Sequence, residues 1–388
     1  MKIHYEKTDC PAAEVNYDSR RLDAVNKFFT RMIENKIIYG VSYRLARRGK
    51  IFAAASLGGR HYNNPGFPML PDTPFGIASQ TKMFTAVAVL MLAEDGLISI
   101  DDTVAKYLPQ FDGSPYNEIT LMHLLTHTSG LYPEGSIPDK HHVGAYEHIR
   151  TQYDQDGAST DWIAAGLRGG MRRKPGTEWQ YCSFGITVLG AILEEVTGIK
   201  YKTFIIDKIC TPLGMTSTTF DPSPTTAKNA IVFNEWNEKF LSEVENGIKS
   251  DEGPWDIMPS AASGLFSTTE DMVSFGIMLE QKGRVGDVRI LGRKAVELMA
   301  TQRLFNIPDI CWGSDEKDRK YGLGVDMRRF PNAFYSPGTF LHEGSGHSVL
   351  IVDAAEEMVC SCVYPWVDGK WNGDCNGRLY NVMWSGLI

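Results

Sequence analysis

The chain has 388 residues, 43% hydrophobic and 22% charged, a balance that excludes a disordered or fibrous protein and suits an ordinary globular one. Its 39 lysines and arginines stand against 47 aspartates and glutamates, a net charge of −8, and with no basic stripe among them no nucleic-acid partner is expected. The seven cysteines (Cys10, Cys182, Cys210, Cys311, Cys360, Cys362 and Cys375) are odd in number and form no CxxC pair, so neither a disulfide framework nor a zinc cage is indicated.

The opening residues Met1-Lys2-Ile3-His4-Tyr5-Glu6-Lys7 lack the apolar core of an export signal. No run approaches the ~20 apolar residues that span a bilayer; the longest, Met83 to Ala93, reads as a buried helix. A reduced, cytoplasmic protein without a membrane partner is therefore expected. Asp18 or Ser19 can cap a helix in which Leu22, Val25, Phe28, Phe29, Met32 and Ile33 fall at helical spacing. Val41 to Ala46 and Lys50 to Ser56, around Arg47-Arg48-Gly49, predict a β-hairpin.

From Ser79 the texture becomes helical. Helices are predicted over Ser79 to Asp95, Thr120 to Thr126, Asp161 to Leu167, Phe184 to Thr197 and Tyr201 to Cys210, punctuated by Gly and Pro. After Ala262-Ser263-Gly264-Leu265, helices over Thr269 to Gln281 and Arg293 to Ala300 lead to strands at Gly322 to Met327, Ser348 to Val352 and Met358 to Tyr364. Strands at both ends with helices between them predict an α+β protein: one antiparallel sheet flanked by helices, with an inserted all-helical subdomain. The expected division is a sheet domain of residues 1–78 and 251–388 and a helical subdomain of 79–250. Catalysis is expected at their seam.

Ser79-Gln80-Thr81-Lys82 is an S-x-x-K at a helix start, where positions three apart share a face, so the amine can reach the hydroxyl. A serine is a poor nucleophile until a base takes its proton, and a lysine does this best in a dry setting such as Met83-Phe84-Thr85-Ala86-Val87 offers. The pattern arises by chance about once in a chain this long, and a second copy, Ser314-Asp315-Glu316-Lys317, lies among charged neighbours with no apolar helix behind it. Tyr181-Cys182-Ser183 follows a Pro-Gly turn and opens an apolar helix, a placement that holds a phenol in a cleft where it can shuttle a proton. The commoner fate of such a tyrosine is the core.

His342-Glu343-Gly344-Ser345-Gly346 precedes a strand, and glycines on either side of Ser345 would let a substrate approach the backbone there. The Ser345 amide is thus a candidate oxyanion donor facing that of Ser79. His342 and His347 are five apart, which is not the spacing of a zinc H-E-x-x-H, so no metal or cofactor is expected.

The ordered set S-x-x-K, Y-x-S, H-x-G resembles the serine β-lactamase and penicillin-binding protein superfamily, in its class C β-lactamase-like and esterase branch. Supporting segments are Thr120 through Leu131, Pro212-Leu213-Gly214-Met215, Ser263 through Met272 and Tyr321-Gly322-Leu323-Gly324. The resemblance implies that Ser79 is acylated, Lys82 is its base and Tyr181 the proton shuttle, with Ser183, His342, Gly344 and Ser345 lining the substrate site. It also implies that His123 and His127 are structural helix residues. Ser183 stands where lactamases and D,D-peptidases usually have Asn, and His342-Glu343-Gly344 stands for Lys-Thr-Gly. These departures favour small esters or amides without a free carboxylate. The alternatives are a β-lactamase or D-amino-acid peptidase (D,D-carboxypeptidase) acting on a lactam or peptide, and a non-catalytic acyl-binding sensor module. Oligomeric state is not legible. Aromatic residues from Tyr364 to Trp384 could wall the cleft, though packing is the commoner role for such residues.

Overall fold

Six strands build the sheet, five of them buried along most of their length on both faces and the first, a three-residue edge strand, only partly. They are β1 (Ile3–Tyr5), β2 (Gly40–Arg47), β3 (Lys50–Gly58), β4 (Phe340–Gly344), β5 (Ser348–Asp353) and β6 (Met358–Val363). In the computed structural model, which describes residues 2–134, 142–248, 253–327, 332–345, 347–367, 370 and 373–388, they form one sheet in the order β1-β3-β2-β6-β5-β4. Every pairing is antiparallel. The two ends of the chain meet where β2 pairs with β6, Tyr43 opposite Cys362.

Alternation assigns the faces. Val41, Tyr43, Leu45, Val349, Ile351, Cys360 and Cys362 pack with Phe28, Phe29, Tyr380 and Trp384, which belong to helices α1 (Arg20–Glu34) and α6 (Gly373–Trp384). On the other face Leu350, Val352, Val359 and Val363 join the main core. That core includes α2 (Thr81–Glu94) and α5 (Thr269–Glu280). Each such aliphatic side chain taken from water contributes about 1.5–3 kcal/mol. Gly276 lets α5 lie close on the sheet, since a Cβ there would meet Val359. Helix α2 is buried on nearly every side, as expected of a helix apolar all round.

Between β3 and α5 the chain is mostly helical and includes α3 (Leu121–Leu125) and α4 (Ser183–Thr197). Helices at Ala145–Asp156, Pro224–Asn229 and Glu235–Glu245 were not anticipated, nor were β1, β4 and α6. The predicted strand at Gly322 to Met327 is instead a tight turn with bridges only at Tyr321 and Asp326. There Gly324 has a φ of 67°, the Gly322 amide donates to Val325 O at 2.9 Å, and a Cβ on Gly322 would meet the Met299 carbonyl. The C-terminal aromatics mostly pack rather than wall a cleft: Trp384 donates from Nε1 to Asp353 at 2.8 Å and Trp366 stacks on His347 with centroids 3.4 Å apart. Trp371 and Gly346 lie outside the described residues. Among the described residues no helix is long and apolar enough to cross a membrane.

Candidate active site

A short 3-10 turn, Ala78–Gln80, runs into α2 and puts Ser79 at the mouth of that helix. Ala78 has a φ of 47°, a left-handed conformation disfavoured for residues with a Cβ and kept where the surroundings enforce it. One turn on, Lys82 is only 1% exposed. Its Nζ donates to Ser79 Oγ at 3.2 Å and to Ala262 O at 2.7 Å, so the amine is aimed at the serine by a carbonyl from the Ala261-Ala262-Ser263-Gly264 segment. The same Nζ lies 4.9 Å from the centroid of the Tyr181 ring. Residues about a hundred positions apart in the chain are thus brought together.

Tyr181 is held on both flanks by His127. Gln180 N donates to the His127 carbonyl at 2.8 Å, Cys182 N donates to His127 Nδ1 at 3.2 Å, and the two rings lie 4.5 Å apart. Because Nδ1 accepts, the ring proton sits on Nε2. Burial, and then the charge of Lys82, push the imidazole well below its ordinary pKa, keeping this tautomer neutral. His127 lies past the end of α3 with a φ of 56°, so the expectation of a helical residue is corrected for it. His123 is helical and closes a capping box with Thr120.

His127→Ala should therefore leave a buried amide without its acceptor, a cost of about 1–3 kcal/mol, and free Tyr181 to shift. A misplacement of ~1 Å can cost about 10²-fold in rate. We expect kcat to fall 10- to 100-fold by that principle, while His127→Asn, which tolerates the left-handed backbone and offers an acceptor oxygen, recovers most of it. Steady-state kinetics of both variants checks this; equal loss in both would show that the acceptor is irrelevant.

Ser183 opens α4 and is half-buried. Cys182, at the cap position, supplies no side-chain cap, and the vacancy is filled from a distance. Glu134 accepts from Ser183 N at 2.9 Å and Phe184 N at 3.0 Å. Burial pushes the Glu134 carboxyl up, while these amides and Lys82 draw it down.

His342 lies on β4 opposite Leu350, which turns its ring to the helical face, 6.4 Å from the Tyr181 ring. Its Nδ1 is 2.8 Å from the Glu343 carbonyl. Burial first, and Lys82 next, lower its pKa to about 4, so it is uncharged at neutral pH. Glu343 points to the opposite face, where Asn376 and Tyr380 donate to its carboxylate at 3.0 and 3.3 Å. Gly344 is where β4 touches the serine's turn: a Cβ there would come within 2.5 Å of Ile77 O and 2.7 Å of Ser348 Oγ. Ser345 follows, exposed in the turn to β5.

Arg319 ties two of these segments together from beneath. Its guanidinium is buried 4.2 Å over the Trp179 ring and donates to Asp326 at 2.8 Å. Asp326 in turn exchanges backbone hydrogen bonds with Leu341, beside His342. Neither Arg319 nor Glu134 carries a local sequence signal, since each acts through tertiary contact. The uncapped start of α4 was the one hint that an acid elsewhere was needed.

The family model described as Beta-lactamase matches residues 25–363. The chain is 35% identical over 207 residues to esterase EstB of Burkholderia gladioli, covering 50% of each protein. It is similar, at 25% identity and a TM-score of 0.68, to the octameric penicillin-binding protein homologue of Pyrococcus abyssi, over 93% of this chain and 76% of that one. A family VIII carboxylesterase shares the fold over 100% of both chains, with a TM-score of 0.74 and 18% identity.

Proposed function

The chain belongs to the Beta-lactamase family and is a serine hydrolase acting on ester or amide substrates; on that premise we propose that Ser79 is its nucleophile, Lys82 the base and Tyr181 the proton shuttle. The observation that supports this most is the convergence of the three groups, with Lys82 Nζ 3.2 Å from Ser79 Oγ and 4.9 Å from the Tyr181 ring centroid. Ser79 Oγ adds to the substrate carbonyl carbon as its proton passes to the Lys82 amine. The resulting oxyanion is met by the backbone N–H groups of Ser79 and Ser345, helped by the positive end of α2. The leaving oxygen or nitrogen departs with a proton delivered through Tyr181, giving an acyl-serine. Water then adds to that ester, losing its proton along the same route in reverse, and releases the acid and free Ser79.

The substrate class follows from Ser183 and His342. A serine hydroxyl reaches less far than an asparagine amide, and an imidazole uncharged at neutral pH offers a carboxylate no ion pair. Neutral esters or amides without a free carboxylate are therefore the substrates, in preference to β-lactams or peptide stems. Wild type should hydrolyse short aryl esters faster than nitrocefin or D-alanyl dipeptides, with no His342 inflection above about pH 5, one unit above the pKa near 4. His342→Lys, which places a cationic side chain there, should raise kcat/KM for an aryl hydrogen succinate about tenfold relative to the neutral aryl ester, equivalent to about 1.4 kcal/mol. Faster turnover of the lactam or peptide by wild type would reverse the assignment. A stable acyl adduct without multiple turnover would point to a sensor.

A further inference from the structure

Trp312 stands out because it is large, apolar and 64% exposed, yet lies directly beside Tyr181. Its backbone adopts φ 49° and ψ 32°, the left-handed region that residues with a Cβ seldom occupy. Such conformations persist where neighbouring structure over-determines them, and they gather at functional sites.

The neighbouring structure here is built around Cys311, buried under the turn Cys311–Gly313. Tyr181 N donates to Cys311 Sγ at 3.1 Å, Cys311 N donates to Asp309 Oδ1 at 2.9 Å, and Ser314 N closes the turn onto Cys311 O at 2.9 Å. The turn is thus bolted to the backbone of Tyr181 itself. Its geometry aims the indole outward, with the ring centroid 5.3 Å from that of Tyr181 at 50° and 6.4 Å from that of Trp179 at 60°. One flank rests on the tyrosine and most of the rest faces solvent. A rigid aromatic surface with one side filled and one open is suited to take a flat apolar group by stacking.

We propose that Trp312 is a specificity-determining residue that stacks against the leaving group of the substrate and selects aromatic or flat apolar alcohols and amines. The assignment to the leaving-group side rests on the reading of Tyr181 as the group that protonates the departing atom. Whatever is bonded to that atom must lie next to the phenol, and among the described residues Trp312 presents an exposed aromatic ring there.

Two butyrate esters that share one acyl group, 2-naphthyl butyrate and methyl butyrate, isolate the leaving-group side. In Trp312→Ala the naphthyl-to-methyl ratio of kcat/KM is expected to fall about tenfold, mostly through KM for the naphthyl ester, and Trp312→Phe is expected to keep most of the ratio because a ring remains. An unchanged ratio, whether both esters slow in parallel or neither does, overturns the proposal. Calorimetric titration of 2-naphthol into Ser79→Ala and into Ser79→Ala/Trp312→Ala gives a readout free of turnover: Kd should rise about tenfold on loss of the indole, and an unchanged Kd overturns the proposal. Absence of Ser79-dependent turnover in wild type would instead remove the catalytic reading and the leaving-group assignment with it, while the 2-naphthol titration would still decide whether Trp312 binds a flat aromatic.

Discussion

Ser79→Ala is expected to lower kcat/KM for an aryl ester by on the order of 10⁴-fold or more, because without the nucleophile only substrate binding and the oxyanion donors remain. The substitution removes one oxygen from a half-buried turn and leaves Lys82 its other acceptor, Ala262 O at 2.7 Å. The fold should therefore persist, and the loss should fall on kcat with little change in KM. Near-ultraviolet circular dichroism identical to wild type, with turnover gone, is the predicted pair of results. Retained turnover would mean that another group attacks the carbonyl.

Lys82→Met is expected to cost about 10³-fold in kcat, within the 10²- to 10⁴-fold range of a positioned general base, or about 4 kcal/mol of activation free energy. Methionine fills a similar volume in the 1% exposed site but cannot take a proton. The substitution also strips the Ala262 carbonyl of its buried donor, so some loss of stability accompanies it. Reaction of Ser79 with a fluorophosphonate needs the same proton removed, and its rate should fall in parallel with kcat. Lys82→Arg separates charge from basicity, since a guanidinium supplies a cation but does not deprotonate; it should remain as inactive as the methionine variant. Activity in Lys82→Arg near that of wild type would show that the site needs a positive charge there rather than a base.

The parts of this site legible in the sequence are those with a local cause. Ser79 and Lys82 sit one turn apart at the head of an apolar run, and helical geometry alone puts them on one face. The hairpin of β2 and β3 announced itself by two apolar runs around Arg48-Gly49, and the return of strands near Ser348 by β-branched residues. The placement of His342 on a strand was obscured by the glycine beyond it, so β4 looked like a loop. The helices Ala145–Asp156 and Glu235–Glu245 are polar over most of their length and bury only two residues each among those described, so they offered few apolar positions to read.

What could not be read is the set of residues that act through space. His127 looked like part of a helix, yet it ends past α3 in a left-handed turn and supports Tyr181 from both sides. Glu134 caps a helix 49 positions away, Arg319 stacks over Trp179, and Trp312 meets Tyr181 from a turn that Cys311 ties to the Tyr181 backbone. Each depends on contacts that no spacing rule encodes, because loop closure between distant segments follows the core rather than the local pattern.

The most direct measurement is covalent capture: incubate the protein with a fluorophosphonate, record the intact mass, and locate the adduct by peptide mapping. One label per chain on Ser79, blocked by prior incubation with a slow aryl ester and absent in Ser79→Ala, is the result predicted here. A label on a different serine, or equal labelling of the Ser79→Ala protein, would contradict it.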